Sequence, residues 1–173
     1  MNPFSPANHL ILVILTPLVG ALAAWLLGSR GVSAVRQSAA VTTLITLVGA
    51  VLLVLRALPE VSAGHAFAVS EGPWLVDGPF DIRFGLGLDG LSIWLFGLSA
   101  LLSVTAVMVS WDAIKEKPVG FYSLLLVLES AMLGVFAARD VILFYVFFEF
   151  TLVPLFFLIG IWGHDDRRQA AVK

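Results

Sequence analysis

Two long apolar runs, at residues 119–138 and 141–162, are separated only by Arg139 and Asp140. Each run has roughly the 20 residues that an α-helix needs to cross the hydrocarbon core of a bilayer. A two-residue connection leaves room only for an antiparallel helical hairpin. This hairpin therefore limits the chain to the architectures that a membrane permits.

Each run carries one acid, ten residues from Arg139 on either side: Glu129 in the first and Glu149 in the second. At 1.5 Å per residue both lie roughly 15 Å from the turn, close to the bilayer midplane. A charged acid there costs about 2.5–3.5 kcal/mol, so such a residue is a candidate for function. Desolvation favours the protonated carboxyl group and a nearby cation favours the carboxylate. We predict proton transfer by both acids; the alternative is that they only hydrogen-bond between helices.

Pro154 follows Glu149 in the same run, where it removes one backbone hydrogen bond and frees the carbonyl of Phe150. This residue predicts a kink in the fifth helix. Freed backbone groups are tolerated in a membrane only where protein or a water-filled cavity satisfies them. A kink beside a buried acid suits a hydrated pathway, and an ordinary helix-packing kink is the alternative.

Three further apolar runs precede the hairpin, so the sequence predicts an all-α membrane protein with a bundle of five transmembrane helices. Residues 10–27 lack the basic start of a secretory signal and are predicted to remain as the first helix. Asp89 and Asp140 are suitable N-caps for the third and fifth helices. The predicted spans form a single transmembrane domain over residues 1–173 and lie at about 10–27, 38–55, 91–109, 119–138 and 141–162.

Residues 57–89 are predicted to form a long extracytoplasmic loop. Within it, residues 74–76 and 80–84 read as the arms of a small hairpin joined by Asp77, Gly78 and Pro79, because Asp-Gly is a turn signal. The loops after spans one, three and five carry more Lys and Arg than the opposite side, which predicts an N-terminus outside. The seven residues on the first side are Arg30, Arg36, Lys115, Lys117, Arg167, Arg168 and Lys173, against Arg56, Arg83 and Arg139.

Composition limits the remaining function classes. Apolar residues make up 60% of the chain and charged residues 13%, which is unlike a water-soluble globular protein. A net charge of −2 gives no reason to expect a nucleic-acid partner. The sequence has no cysteine to ligate an iron–sulfur cluster, and its three histidines are scattered, so we predict no cofactor or metal site. The polar stretch His164-Asp165-Asp166 is predicted to be a solvated loop.

The runs FGLGLDGLSIWL (residues 84–95) and FFEFTLVPLFFLIGIWG (residues 147–163) resemble known segments. The first is similar to the start of the third helix in the antiporter-like subunits of respiratory complex I. The second resembles the fifth-helix signature of the subunit M family of NADH-quinone oxidoreductase, with the pattern acid-x-x-x-x-Pro-x-x-x-Leu-Ile-Gly-x-Trp-Gly. The likeness covers most of the chain from residue 84 onward, whereas the first two spans agree only in length and placement.

This resemblance implies a proton-translocating membrane subunit. Members have about 14 helices of the ~20-residue length that a bilayer requires, so the chain is expected to be an N-terminal fragment that ends at the start of a sixth helix. Glu149 matches the fifth-helix glutamate used in proton translocation, and Glu129 matches a fourth-helix glutamate with a supportive role. No Lys or Arg lies inside any predicted span. The family supplies that cation from lysines on later helices.

The resemblance also implies partners and a location. NADH, FMN, iron–sulfur clusters and quinone are expected in other subunits, and the partners are other membrane subunits of complex I, the lipid bilayer and transported protons. The expected location is the inner (plasma) membrane of a bacterium. Two alternatives stay open: a cation/proton antiporter or membrane-bound hydrogenase subunit of the same superfamily, and a non-transporting structural membrane subunit.

Overall fold

The computed structural model of the protein describes residues 5–75 and 82–163. These residues form five α-helices, each long and apolar enough to cross a membrane, and one two-stranded antiparallel sheet. The all-α bundle is therefore confirmed, with a small sheet added to it. In chain order the elements are α1 (Pro6–Leu26) with a 3-10 turn (Leu27–Arg30), α2 (Val32–Ser62), β1 (Phe67–Leu75), β2 (Ile82–Leu88), α3 (Ser92–Ala113), α4 (Pro118–Ala137) and α5 (Val141–Trp162).

The first two helices are longer than the apolar runs that predict them. Helix α1 begins at Pro6 because the side chain of Ser5 accepts a hydrogen bond from Asn8 N at 3.3 Å and caps the first turn. Helix α2 has 31 residues, or about 46 Å, which exceeds the ~30 Å hydrocarbon core. Hydropathy detects only the part of a helix that lies in lipid, so the polar ends of α2 escaped the prediction.

The connection between the second and third helices begins later than the predicted residue 57 and contains a longer hairpin than predicted. Helix α2 runs on to Ser62, and β1 then pairs with β2 in an antiparallel register from Phe67 opposite Leu88 to Leu75 opposite Ile82. The strands are longer than the predicted arms because Phe67, Leu86 and Leu88 are buried against the end of the bundle. The predicted turn at Asp77, Gly78 and Pro79 lies outside the described residues, as does the tail from His164.

Helices α1 to α4 pack around one another, with α4 in contact with α1, α2 and α3. Lipid is as apolar as a leucine side chain, so close packing and interhelical hydrogen bonds hold such a bundle together. Two rungs join α4 to α1: Ser130 Oγ donates to the carbonyl of Ile14 at 2.6 Å, and Ser123 Oγ donates to that of Ala21 at 3.2 Å. From Ser123 to Ser130 the chain advances by seven residues on α4, while the partner moves back by seven residues on α1, from Ala21 to Ile14. The two helices are therefore antiparallel.

Helix α5 lies at the edge of this group and packs chiefly on α4, with a smaller contact to β2. In the most apolar 18-residue stretch of α5, 11% of the residues are buried. The corresponding share in the other four helices is 33–39%. The α4–α5 seam is tight at Gly134, where an added Cβ would overlap the ring of Phe147. The position of α5 therefore depends chiefly on its contact with α4.

The sheet is pinned to the α4–α5 turn. Arg139 N donates to the carbonyl of Gly85 at 2.9 Å, and Leu86 forms a β-bridge with Ala138. Asp140 Oδ1 accepts from Ile142 N at 2.8 Å and Leu143 N at 3.2 Å, so the predicted N-cap of the fifth helix is confirmed.

The predicted cap of the third helix also forms. Asp89 Oδ1 accepts from Leu91 N at 3.0 Å and Ser92 N at 2.8 Å, and Ser92 Oγ accepts in return from Asp89 N at 2.9 Å. The backbone N–H of Ser92 holds the pKa of the Asp89 carboxyl group below its usual value, with smaller contributions in the same direction from Leu91 and Arg139.

Candidate functional site

Glu129 lies on the buried face of α4, where only 1% of its surface is exposed. Neither carboxyl oxygen has a hydrogen-bond partner within residues 5–75 and 82–163. Buried polar groups are normally hydrogen-bonded, and a buried unpaired acid is a costly exception. This exception needs an explanation, and it excludes the alternative in which Glu129 joins two described helices through a hydrogen bond.

The neighbouring Ser130 shows what a partnered polar group looks like at this depth. Ser130 is 2% exposed, and its hydroxyl donates to Ile14 one turn before Pro17 of α1. Other buried hydroxyls of the bundle also have carbonyl partners, in their own helices: Thr43 with Ala40, Thr46 with Thr42, and Ser103 with Ser99. Glu129 thus differs from these buried hydroxyl groups in having no hydrogen-bond partner among the described residues.

Glu149 lies on the outer surface of α5 and is exposed in the described chain. The phenol of Tyr145, one helical turn earlier, lies beside its carboxyl group. Large apolar side chains surround this pair on the same helix, among them Val146, Phe148 and Leu152. An acid on an otherwise apolar helix surface predicts that this face receives further polypeptide, because lipid offers the carboxylate no partner.

The structure places the two acids at the same distance from the hairpin turn but on different surfaces. Glu129 lies eight residues before the end of α4 at Ala137, and Glu149 lies eight residues after the start of α5 at Val141. At 1.5 Å per residue each is about 12 Å from the hairpin turn. Glu129 faces the bundle interior and Glu149 faces outward, so the hairpin does not bring them together as one site.

Pro154 is buried within α5, which continues for two more turns to Trp162. Because proline has no N–H, the carbonyl of Phe150 loses its usual helical donor. The kink and its link to a hydrated path remain predictions.

Sequence reasoning missed two residues beside the acids. Tyr145 was detectable, since a residue four positions before Glu149 lies on the same helix face. Ser130 was not, because its partner Ile14 is 116 residues away and no local pattern indicates that contact. Among residues 5–75 and 82–163 no group of three His, Cys, Asp or Glu side chains is arranged to hold a metal ion.

Comparisons with known proteins agree with this architecture. A family model described as NADH:quinone oxidoreductase/Mrp antiporter, TM, matches residues 138–173. The chain is 38% identical over 175 residues to NADH-quinone oxidoreductase subunit M of Escherichia coli K12, covering 93% of this chain and 33% of that protein. It is 30% identical over 164 residues to NADH-ubiquinone oxidoreductase chain 4 of Chondrus crispus, covering 95% and 32%.

A solved structure, respiratory complex I from Thermus thermophilus with bound NADH, contains a chain of the same fold. The TM-score is 0.74 at 28% identity, over 94% of this chain and 31% of that one. This protein therefore spans about one third of the length of the relatives it matches.

Proposed function

Because the chain is homologous to subunit M of NADH-quinone oxidoreductase along about one third of that subunit's length, we propose that it belongs to a proton-translocating membrane subunit of this kind. Quinone reduction elsewhere in the complex would be coupled to proton transfer through an intramembrane glutamate. The observation that carries the proposal is the pair of membrane acids at equal depth, one buried without a partner and one on an apolar helix face.

In the mechanism we propose, Glu149 is the proton-transferring group. A cation that approaches this carboxylate stabilises its charged form, and withdrawal of the cation favours proton uptake. The described spans supply no such cation at Glu149, so it comes from outside the described chain. Moving one charge against 100 mV costs about 2.3 kcal/mol. Since one pKa unit corresponds to about 1.36 kcal/mol, a modest displacement of one cation is sufficient to drive each step.

Tyr145, one turn before Glu149 on the same helix face, positions the Glu149 carboxyl group. Helix packing at Gly134 and Phe147 fixes the height of α5, and with it the depth of Glu149. Pro154 follows the acid by five residues and leaves a carbonyl without its helical donor. This carbonyl is suited to accept a hydrogen bond from water that reaches the acid.

Glu129 has a supporting role in this proposal. Its burial and missing partners make it a place where a proton can reside on the other side of the α4–α5 seam. It exchanges protons with Glu149 only through an intervening carrier, because the two side chains face different surfaces.

The remaining parts of the proposal concern location and partners. The protein lies in a bacterial plasma membrane with its N-terminus outside, as the excess of Lys and Arg in the opposite loops favours. NADH, FMN, iron–sulfur clusters and quinone reside in other subunits of the complex.

A second candidate is a subunit of a cation/proton antiporter. The family model that matches residues 138–173 carries both functions in its description, which is the observation that favours this alternative. Both functions need an intramembrane acid, so Glu149 does not discriminate between them. The energy source does discriminate: redox chemistry in one case and an ion gradient in the other.

The test is to purify the complex through an affinity tag on this protein and reconstitute it into liposomes. Lumen acidification that starts on addition of NADH and a quinone, and is unaffected by a sodium gradient, is the expected result. Acidification or alkalinisation driven by a sodium gradient without NADH overturns the proposal in favour of the antiporter. Co-purification without either activity favours a structural subunit.

A further inference from the structure

A groove between α2 and α3 lies at the opposite end of the bundle from the sheet. It encloses about 390 Å³, which falls within the ~300–1,000 Å³ range of small-molecule sites. Its walls are Ala40, Thr43 and Leu44 on α2 and Val104, Met108 and Trp111 on α3. The Thr43 hydroxyl donates to the carbonyl of Ala40 at 3.1 Å, so its hydrogen is not available to a ligand in the groove.

Arg36 lies one turn before Ala40 on the same face of α2, beyond the residues that line the groove. An Nη atom of Arg36 donates to the carbonyl of Ile114 at 2.9 Å, just beyond Trp111. The hydroxyl of Tyr122 also contacts this guanidinium. A guanidinium has five N–H donors, so donors remain free within the described ranges 5–75 and 82–163.

We propose that this groove is a phospholipid-binding site, with one acyl chain between α2 and α3 and the phosphate at Arg36. The planar guanidinium matches a phosphate in charge and geometry. Trp111 lies at the end of its span, where indole rings prefer the membrane interface. The apolar groove therefore matches the acyl chain, and the guanidinium of Arg36 beyond it matches the headgroup.

A protein helix fits this groove less well than an acyl chain. A helix with its side chains is about 10–12 Å wide, so it would cover the groove without filling it. Two acids and two lysines follow Trp111, in the last turn of α3 and in the connection to α4: Asp112, Glu116, Lys115 and Lys117. Together with Arg36 these residues give this end of the bundle three cations and two acids, a net charge of +1. A lipid headgroup therefore does not need a large net negative charge to bind here.

The proposal is tested by photo-cross-linking in nanodiscs. The intact membrane complex is reconstituted with a phospholipid that carries a diazirine in one acyl chain, and the labelled residues are identified by mass spectrometry. We expect labelling concentrated at Leu44 and Met108. Equal labelling at Val41 and Ile45, which are exposed on another face of α2 at the same height as Ala40 and Leu44, would show a non-specific lipid layer and overturn the proposal.

Substitutions separate the two parts of the site. Ala40→Trp fills the groove and abolishes labelling at Met108, whereas the control Ile45→Trp, on another face of α2, leaves it unchanged. If Ala40→Trp fails to assemble, Met108→Trp fills the groove from the other wall, with labelling read at Leu44. Loss of a charge-assisted hydrogen bond in Arg36→Gln weakens lipid retention on the order of tenfold, and the control Arg30→Gln, at an exposed residue outside the groove, does not. Unchanged labelling in the groove-filling variants would refute the assignment.

Discussion

Gly134 is the residue on which the placement of α5 depends, and substituting it gives a quantitative test of the packing. An alanine Cβ at this position would overlap the Phe147 ring at Cδ1, Cε1 and Cγ. Overpacking of this kind costs about 1–3 kcal/mol. In an open helix position the same change gains up to about 1 kcal/mol of helix propensity. We therefore expect Gly134→Ala to destabilise the protein, even though alanine has a higher helix propensity than glycine.

Gly120→Ala is the matched control, because a Cβ there would lie 3.4 Å from Trp162, a distance at the edge of ordinary contact. Both glycines belong to α4. Gly120→Ala is expected to leave stability unchanged or slightly higher. The free energies of unfolding are measured by denaturant titration in mixed micelles, with helix content followed by circular dichroism.

Phe147→Leu supplies the compensating change, because it removes the ring that the new Cβ meets. The double variant Gly134→Ala with Phe147→Leu should be more stable than the two single effects predict, by about 0.5–3 kcal/mol of coupling. Single effects that add within about 0.3–0.5 kcal/mol would refute the close approach of Gly134 to Phe147.

The remaining predictions concern the other contacts of the bundle. Ser130→Ala should destabilise the protein by about 0.6–1.7 kcal/mol, the usual contribution of an interhelical hydrogen bond in a membrane. Thr105→Ala on an exposed face should have little effect. Equal losses of stability in the two variants would contradict the hydrogen bond from Ser130 to Ile14. Asp140→Ala removes the cap of α5 and should cost about 0.5–2 kcal/mol in the same titration, with Asp140→Asn retaining most of the stability. The pKa of Asp89 is lowered on folding, so its contribution is present above its ordinary value of 3.8 and is lost as pH falls towards the folded pKa. Unfolding measured from pH 6 downwards should therefore show a smaller acid destabilisation in Asp89→Asn than in the parent, and identical slopes would disprove that contribution.

Hydropathy and caps were sufficient to predict the helices, because both are local properties. The length of each apolar run is set by the bilayer, and Asp89 and Asp140 cap through backbone groups two and three residues away. The full extent of the sheet, in contrast, depends on contacts with residues that are distant in the sequence. Leu86 and Leu88 are buried by residues of other elements, and the alternation of the strands alone does not reveal that surface.

The acids illustrate the same limit at the candidate site. Counting residues from the turn gave Glu129 and Glu149 the same depth, since rise per residue is constant in a helix. The direction in which each side chain faces depends on how α4 and α5 are rotated against each other, and that rotation is set by Gly134 and Phe147. Depth was therefore predictable from the sequence, and facing was not.

The central claim is that Glu149 transfers the proton. Its most direct test is proton uptake by inverted membrane vesicles during NADH oxidation, comparing the parent with Glu149→Gln and with the control Glu116→Gln in the α3–α4 connection. The account predicts that Glu149→Gln abolishes uptake while the complex stays assembled, and that Glu116→Gln pumps normally. Unchanged pumping in assembled Glu149→Gln would contradict it and would make Glu149 a packing residue.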